Sequence, residues 1–222
     1  MRGVDPRLLA QGPTGVLAGD WPAAAEAAAA LGDGDGWVVD GPTAVPPGAT
    51  LAVVTVPTGV DPPAVARRTR EAARTLQAHR CARHFLHCPP DGGTVLAAQL
   101  PAALAELALP LAVVTSAHPA AGVTCIGGYT LQEGRPTCLP HGGAPLGRGH
   151  LPAVLGEGRP AAHLGLDGVL EGPRVVAQAI AEAWGAGQRV LVVDAAREED
   201  LAAIARAIVI TPYPILPVGS TG

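Results

Sequence analysis

The sequence predicts an α/β fold: a doubly wound, mostly parallel sheet with helices on both faces and an irregular hairpin and loop excursion. Three observations carry that expectation. Short apolar runs such as TLAVVTV (50–56), LAVVT (111–115) and RVLVVD (189–194) are rich in β-branched residues and show no polar alternation, the pattern of strands buried on both faces. Ala-rich segments of helical length separate them. Asp or Pro opens several of these segments and Gly closes others.

After a loose start, residues 15–19 (GVLAG) read as a short buried strand. Asp20 is the expected N-cap of a helix over 23–31, Pro22 falls in the first turn where proline is tolerated, and Gly32 ends the run. Residues 37–40 and 50–56 are the next two strands. Asp61 caps a long helix reaching about His79, with Pro62 and Pro63 in its first turn. A strand over 84–88, a turn over 89–93 and a helix over 95–107 follow, then a strand over 111–115. From 111 to 136 the chain runs from that strand through a Pro/Gly-punctuated loop into a hairpin. Residues 134–160, rich in Gly, Pro and Arg, read as an irregular excursion from the layered core. Residues 162–166 are a strand, 173–184 a helix closed by Gly185 and Gly187, and 189–194 the clearest buried strand. The helix over 197–207 carries Glu198, Glu199 and Asp200 in its first turn, where the helix dipole favours acids. A last strand over 215–218 leads into a Gly/Ser turn. No internal repeat is evident, and the 222 residues are read as one α/β domain, 1–222, whose 48% hydrophobic content suffices for a sizeable core.

A net charge of -4 and the absence of a basic cluster argue against nucleic acid as a partner. Arg67, Arg68, Arg70 and Arg74 are read as a solvated helix face. No segment reads as a signal peptide and the apolar runs are too short to span a bilayer, so no membrane association is expected and the expected compartment is the cytoplasm. All 15 basic residues are Arg, and the chain has neither Lys nor Asn, which excludes a Schiff-base lysine and a Walker-type phosphate lysine. The four cysteines, Cys81, Cys88, Cys125 and Cys138, lack CxxC spacing, and no disulfide framework is expected. His79, Cys81, His84, His87 and Cys88 crowd together, and three or four on one face would suit zinc. A strand through this stretch sends alternate side chains to opposite faces, so no metal site is expected.

In a doubly wound sheet, ligands sit outside the carboxyl ends of the strands. The polar residues there are Asp20, Asp40, residues 88–91, residues 115–118 (Thr115 to His118), Asp194, and Gly219 with Ser220. Each also has an ordinary structural use as a helix cap or strand terminus.

Residues 113–129, VVTSAHPAAGVTCIGGY, resemble a strand-loop segment of the four-carbon acid sugar kinase family, whose members read roughly APAFPxxGRxTxxGG. Later blocks agree in order and spacing: APLGRGHLPAVL (144–155) is similar to NPVxESHLPxLL, GQRVLVVDAAREEDL (187–201) to ARVLVVDAxTDEDL, and LPVGSTG (216–222) to LPVGSAG. The likeness is close from 111 to 222 and weak before that. It implies a domain that binds a small sugar acid such as threonate or erythronate, which the family phosphorylates with ATP and Mg²⁺. By that resemblance Asp20 matches an acidic residue of the ADDxTGA turn and His118 the aromatic before Pro119. Thr124, Gly127 and Gly128 match the TxxGG loop, His150 the His of ESHL, and Asp194 the acidic end of the penultimate strand. These seven are the implied substrate-binding residues, and Gly219 and Ser220 the implied nucleotide-binding ones. The family's nucleotide domain would follow residue 222, which implies a separately encoded nucleotide-binding partner; an oligomer is also compatible.

The departures are as informative. The family's ADDLTGANDT is AGDWPAAAEAA here, so one acid is Gly19 and the Thr-Gly pair is Pro22-Ala23. Its KKxDSTLRGN is FLHCPPDGGT, with Cys88 for Asp and Gly92 for Arg, and its central GR is Gly122-Val123. Phosphoryl transfer needs cations and a base around the developing charge, and no residue is assigned a catalytic role. Three readings follow: an active kinase half, a catalytically silent descendant that binds a small anion or a partner, and an unrelated α/β enzyme using the His/Cys cluster.

Overall fold

The computed structural model describes residues 12–31, 36–40, 51–56, 61–88, 93–137, 149–156 and 161–220. The expected helix stop at Gly32, residues 89–92 of the turn expected over 89–93, and Cys138 lie outside the described residues, as does much of 134–160; Gly93 itself opens a helix. In chain order the elements are β1 (Thr14–Ala18), α1 (Trp21–Leu31), β2 (Gly36–Asp40), β3 (Leu51–Thr55), α2 (Pro62–Ala78), β4 (Arg83–His87), α3 (Gly93–Glu106) and β5 (Leu111–Val114). A hairpin region follows with β6 (Val123–Ile126), β7 (Tyr129–Gln132) and β8 (Arg135–Pro136), then α4 (Leu151–Leu155). The chain closes through β9 (Ala162–Leu164), α5 (Leu166–Leu170), α6 (Pro173–Gly185), β10 (Val190–Val193), α7 (Glu198–Ile210) and β11 (Ile215–Gly219).

Eight of the strands join in one sheet in the order β2-β3-β1-β4-β11-β5-β10-β9, every neighbouring pair parallel. Right-handed crossovers then fix which face each helix covers. The steps from β1 to β2, from β9 to β10 and from β10 to β11 all run the same way across the sheet, so α1, α6 and α7 share one face. The steps from β3 to β4 and from β4 to β5 run the opposite way and place α2 and α3 on the other. The packing agrees: α2 lies against α3, and α6 against α7.

Register explains the two-sided apolar runs. Val16 of β1 pairs with Val53 and Phe85, and its neighbour Leu17 with Val54 and Leu86. Val16 and Val53 pack on Ala23, Ala24 and Ala27 of α1, with Phe85 against the same cluster. Leu17, Val54 and Leu86 pack on the other side with Ala72, Ala73 and Leu76 of α2. The central strands β1 and β3 therefore bury both faces, each large aliphatic side chain contributing ~1.5–3 kcal/mol. The expected doubly wound parallel sheet is the observed one.

Residues 134–160 differ from the irregular excursion expected of them. Arg135–Pro136 forms β8 against β7, and Leu151–Leu155 is a helix whose Leu151 and Leu155 belong to the main core. Pro152 in its first turn and the Leu151/Leu155 spacing, one helical turn, explain the helix. The strand expected over 162–166 ends at Leu164, because Leu166 begins the short helix α5.

Candidate functional site

All eight sheet strands end on one edge, and the direction of winding reverses between β1 and β4: the connection leaving β1 crosses toward β2, and that leaving β4 crosses toward β5. A crevice opens at such a point. Asp20 follows β1 there. Its Oδ1 accepts the amide of Ala23 at 2.8 Å, so it caps α1, while its side chain stays exposed. His87 ends β4 on the same face as Phe85, by strand alternation, and is only 6% exposed. Burial lowers its pKa, with the charges of Glu26 and Asp20 raising it and that of His118 lowering it further, so these four side chains share one electrostatic neighbourhood.

The next strands along this edge bring in two loops. Residues 115–117 are buried after β5, and the half-buried His118 closes a backbone bridge to Val123, donating and accepting at 2.9 and 3.0 Å. Ser220 after β11 donates its hydroxyl to the carbonyl of Ala117 at 2.7 Å, stitching the two strand ends together. A Cβ on Gly219 would lie 3.4 Å from the Thr115 carbonyl oxygen, so β11 and the 115–118 loop approach closely there. Beneath these ends, between α7 and the sheet, a cavity of about 220 Å³ is lined by Phe85, Val113, Ala117, Ile204, Pro217 and Ser220 among others.

A buried polar cluster surrounds Asp194, at the end of β10 and 1% exposed. One carboxylate oxygen accepts the Gly127 amide at 2.6 Å; the other accepts the Gly128 amide at 2.9 Å and meets His163 Nε2, also at 2.9 Å. The Cys125 thiol lies 3.7 Å from the latter oxygen. Burial pushes the Asp194 pKa up, but the His163 hydrogen bond and the two amides outweigh it and hold the carboxyl below its usual range. Gly127 and Gly128 form the two-residue turn of the β6–β7 hairpin with φ of 59° and 74°, the left-handed pair that a type I′ turn requires. The turn is held from its other side as well: Leu151 N donates to Gly128 O at 2.9 Å, and the His150 ring lies 4.9 Å from Tyr129, centroid to centroid. Asp194 thus anchors the Gly127-Gly128 turn, and the turn anchors α4.

Six of the nine residues expected at the site fall into two groups along one edge. Asp20 and His118 gather with His87 and Glu26 at the winding reversal. Asp194, Gly127, Gly128 and His150 gather at the end of β10, and Gly219 and Ser220 stand between the groups. Thr124 is half-buried in β6 opposite Leu131, on the side of the hairpin away from buried Cys125. In β4, His84 shares a face with Leu86 and His87 the opposite face; among the described residues no three His, Cys, Asp or Glu converge. Burial pushes Cys81 up to about 11 and Cys125 to about 12, so neither thiol is a nucleophile at neutral pH. Sequence reasoning missed His163, which sits in a three-residue strand without a motif, and Glu198, whose carboxylate accepts the Ala120 amide at 3.2 Å. No helix among the described residues is long and apolar enough to cross a membrane.

A family described as a sugar-binding N-terminal domain matches residues 53–222. The chain is 40% identical over 125 residues to a D-threonate kinase of Cupriavidus necator, a match covering 54% of this chain and 30% of the kinase. A domain of unknown function from Bordetella bronchiseptica, solved as a domain-swapped dimer with bound citrate, superposes with a TM-score of 0.74 at 27% identity, over 95% of this chain and 55% of that one. A Haemophilus influenzae protein of the same structural class gives 0.76 at 20% identity, over 93% and 53%. The chain thus spans about half the length of these solved structures and less than a third of the kinase.

Proposed function

The chain belongs to the family of sugar-binding N-terminal domains, and on that premise we propose that it binds a four-carbon sugar acid of the threonate or erythronate type at the carboxyl edge of its sheet. The observation that carries this reading is the coincidence of three things on one edge. They are the winding reversal between β1 and β4, the Asp20–His87–His118 neighbourhood at it, and the Gly127-Gly128 turn fixed by Asp194 beside it. Substrate contacts are assigned to Asp20, His118, Thr124, Gly127, Gly128 and His150, with Asp194 acting through the turn it holds.

Phosphorylation of that acid would need ATP and Mg²⁺, which we assign to a nucleotide-binding domain meeting this edge near Gly219 and Ser220. With no convergent acid cluster among the described residues, Mg²⁺ would arrive on the nucleotide phosphates rather than in a cage of this chain. A second reading, a non-catalytic binding or partner module, has its own observation. Both Asp194 oxygens are committed to the hairpin turn and the Ser220 hydroxyl to Ala117, so two of the polar groups that would face reactants already serve the fold. A cytoplasmic location is expected under either reading.

The test is a thermal-shift titration with D-threonate, D-erythronate and their oxo-acids, with and without ATP and Mg²⁺. Ligand at 100 times its Kd adds ~2.7 kcal/mol by linkage, about 5–10 °C for a domain of this size. A shift with acid alone supports binding, and one enlarged by ATP supports the kinase reading. No shift with any sugar acid overturns the proposal.

A further inference from the structure

His87 is a buried histidine without a described partner. It is 6% exposed, and its Nδ1 has no hydrogen-bond partner among the described residues. Leaving such a group unsatisfied costs ~1–3 kcal/mol, so an orphan of this kind calls for an explanation. Its position supplies one. It ends β4 at the strand boundary where the winding reverses, the place where a doubly wound sheet receives its ligand. It shares that place with Asp20 and His118.

The surroundings select the ligand group. A carboxylate brought to this point would face the like charges of Asp20 and Glu26, both close enough to act on His87. A hydroxyl faces no such repulsion. It also both donates and accepts, so it satisfies Nδ1 in either imidazole tautomer. We propose that His87 recognises a hydroxyl of the bound sugar acid through Nδ1, and so sets a preference for the fully hydroxylated four-carbon acid over its deoxy analogues. This rests on the sugar-acid reading above, and adds to it a residue and an orientation: the hydroxylated end lies at β1 and β4, with the carboxylate directed away from Asp20 and Glu26. The depressed His87 pKa is consistent with a neutral ring doing this at pH 7.

Isothermal titration of potassium D-threonate, 2,4-dihydroxybutanoate, 3,4-dihydroxybutanoate and 2,3-dihydroxybutanoate into the wild-type chain, His87→Leu and His87→Asn tests the assignment. In His87→Leu, D-threonate is expected to bind about tenfold more weakly, ~1.4 kcal/mol. The analogue lacking the contacted hydroxyl is expected to bind both forms alike. In His87→Asn, whose amide places a polar atom near the Nδ1 position, most of the affinity and the discrimination should return, a rescue that a purely packing role would not give. Ligand-free His87→Leu should melt no lower than wild type, since it removes an unsatisfied group. If Leu does not fold, Asn against His87→Gln, whose polar atoms sit one methylene further out, gives the same contrast. Wild-type binding with unchanged affinity and discrimination in the variants overturns the His87 assignment and leaves the cleft reading standing. No binding of any acid to wild type overturns both.

Discussion

Replacing Asp194 with Asn keeps the shape of the side chain and removes its charge, which isolates what the carboxylate does for the hairpin turn. The structure gives it two backbone amides, at 2.6 and 2.9 Å, in a position 1% exposed. An Asn can accept only one of them, so at least one charge-assisted bond is lost, ~1.5–3 kcal/mol. The second amide is then left facing an NH₂ group, a buried donor without an acceptor, at a further ~1–3 kcal/mol. A total of ~2.5–6 kcal/mol corresponds to a fall of roughly 5–24 °C in Tm for a domain of this size. The effect has a pH signature. The Asp194 pKa is held below its usual value in the folded chain, so its contribution is fully present above the unfolded carboxyl pKa of about 3.9 and is lost as the pH falls through the lower folded value. Urea denaturation of both forms at pH 7 and pH 3 is the assay. The expected result is a large gap at pH 7 that narrows at pH 3. Equal stability at pH 7, or a gap that does not change with pH, would refute the anchoring role.

The turn itself separates two costs. Gly127→Ala adds a Cβ into open space at a φ of 59°, so only left-handed backbone strain of ~1–2 kcal/mol is expected. Gly128→Ala adds the same strain, and its Cβ would lie 2.7 Å from Pro152 Cδ; it is expected to melt several degrees below Gly127→Ala, and equal melting temperatures would contradict the packing of the turn on α4. Cys81 and Cys125, with pKa values raised to about 11 and 12 by burial, should resist iodoacetamide at pH 8 in the native protein and react once it is unfolded, as peptide mass spectrometry would show. Asp20→Ala removes a cap worth ~1 kcal/mol and an exposed carboxylate at the winding reversal. It should weaken D-threonate binding more than Asp20→Asn, which retains the cap acceptor; equal loss in both would place the charge rather than the cap at the ligand.

The layered fold was legible because burial on both faces leaves a plain mark on a strand: LAVV at β5 and VLVV at β10 have no polar face to show. The caps at Asp20 and Asp61 were legible for a similarly local reason, since each accepts an amide three residues ahead. Residues 151–155 were not, because a five-residue helix after a Gly/Pro-rich stretch carries too short a period to stand out, and what fixes it is the Gly128 carbonyl more than twenty positions earlier. The site was legible as a set of strand ends and only partly as chemistry. Asp194 reads in sequence as one more acid at a strand end; that it serves Gly127 and Gly128 depends on a pairing across 66 and 67 positions. His87 belonged to a crowded His/Cys stretch, and only the alternation of β4 separates it from His84 and turns it toward Asp20.

The central claim is that a four-carbon sugar acid binds at this carboxyl edge. Amide chemical-shift mapping of the ¹⁵N-labelled chain with D-threonate tests it most directly. The account predicts saturable shifts concentrated at Asp20, at His87, along 115–118 and at Gly127 and Gly128, with the amino edge of the sheet silent. Shifts confined to the amino edge, or none at millimolar acid, would contradict it.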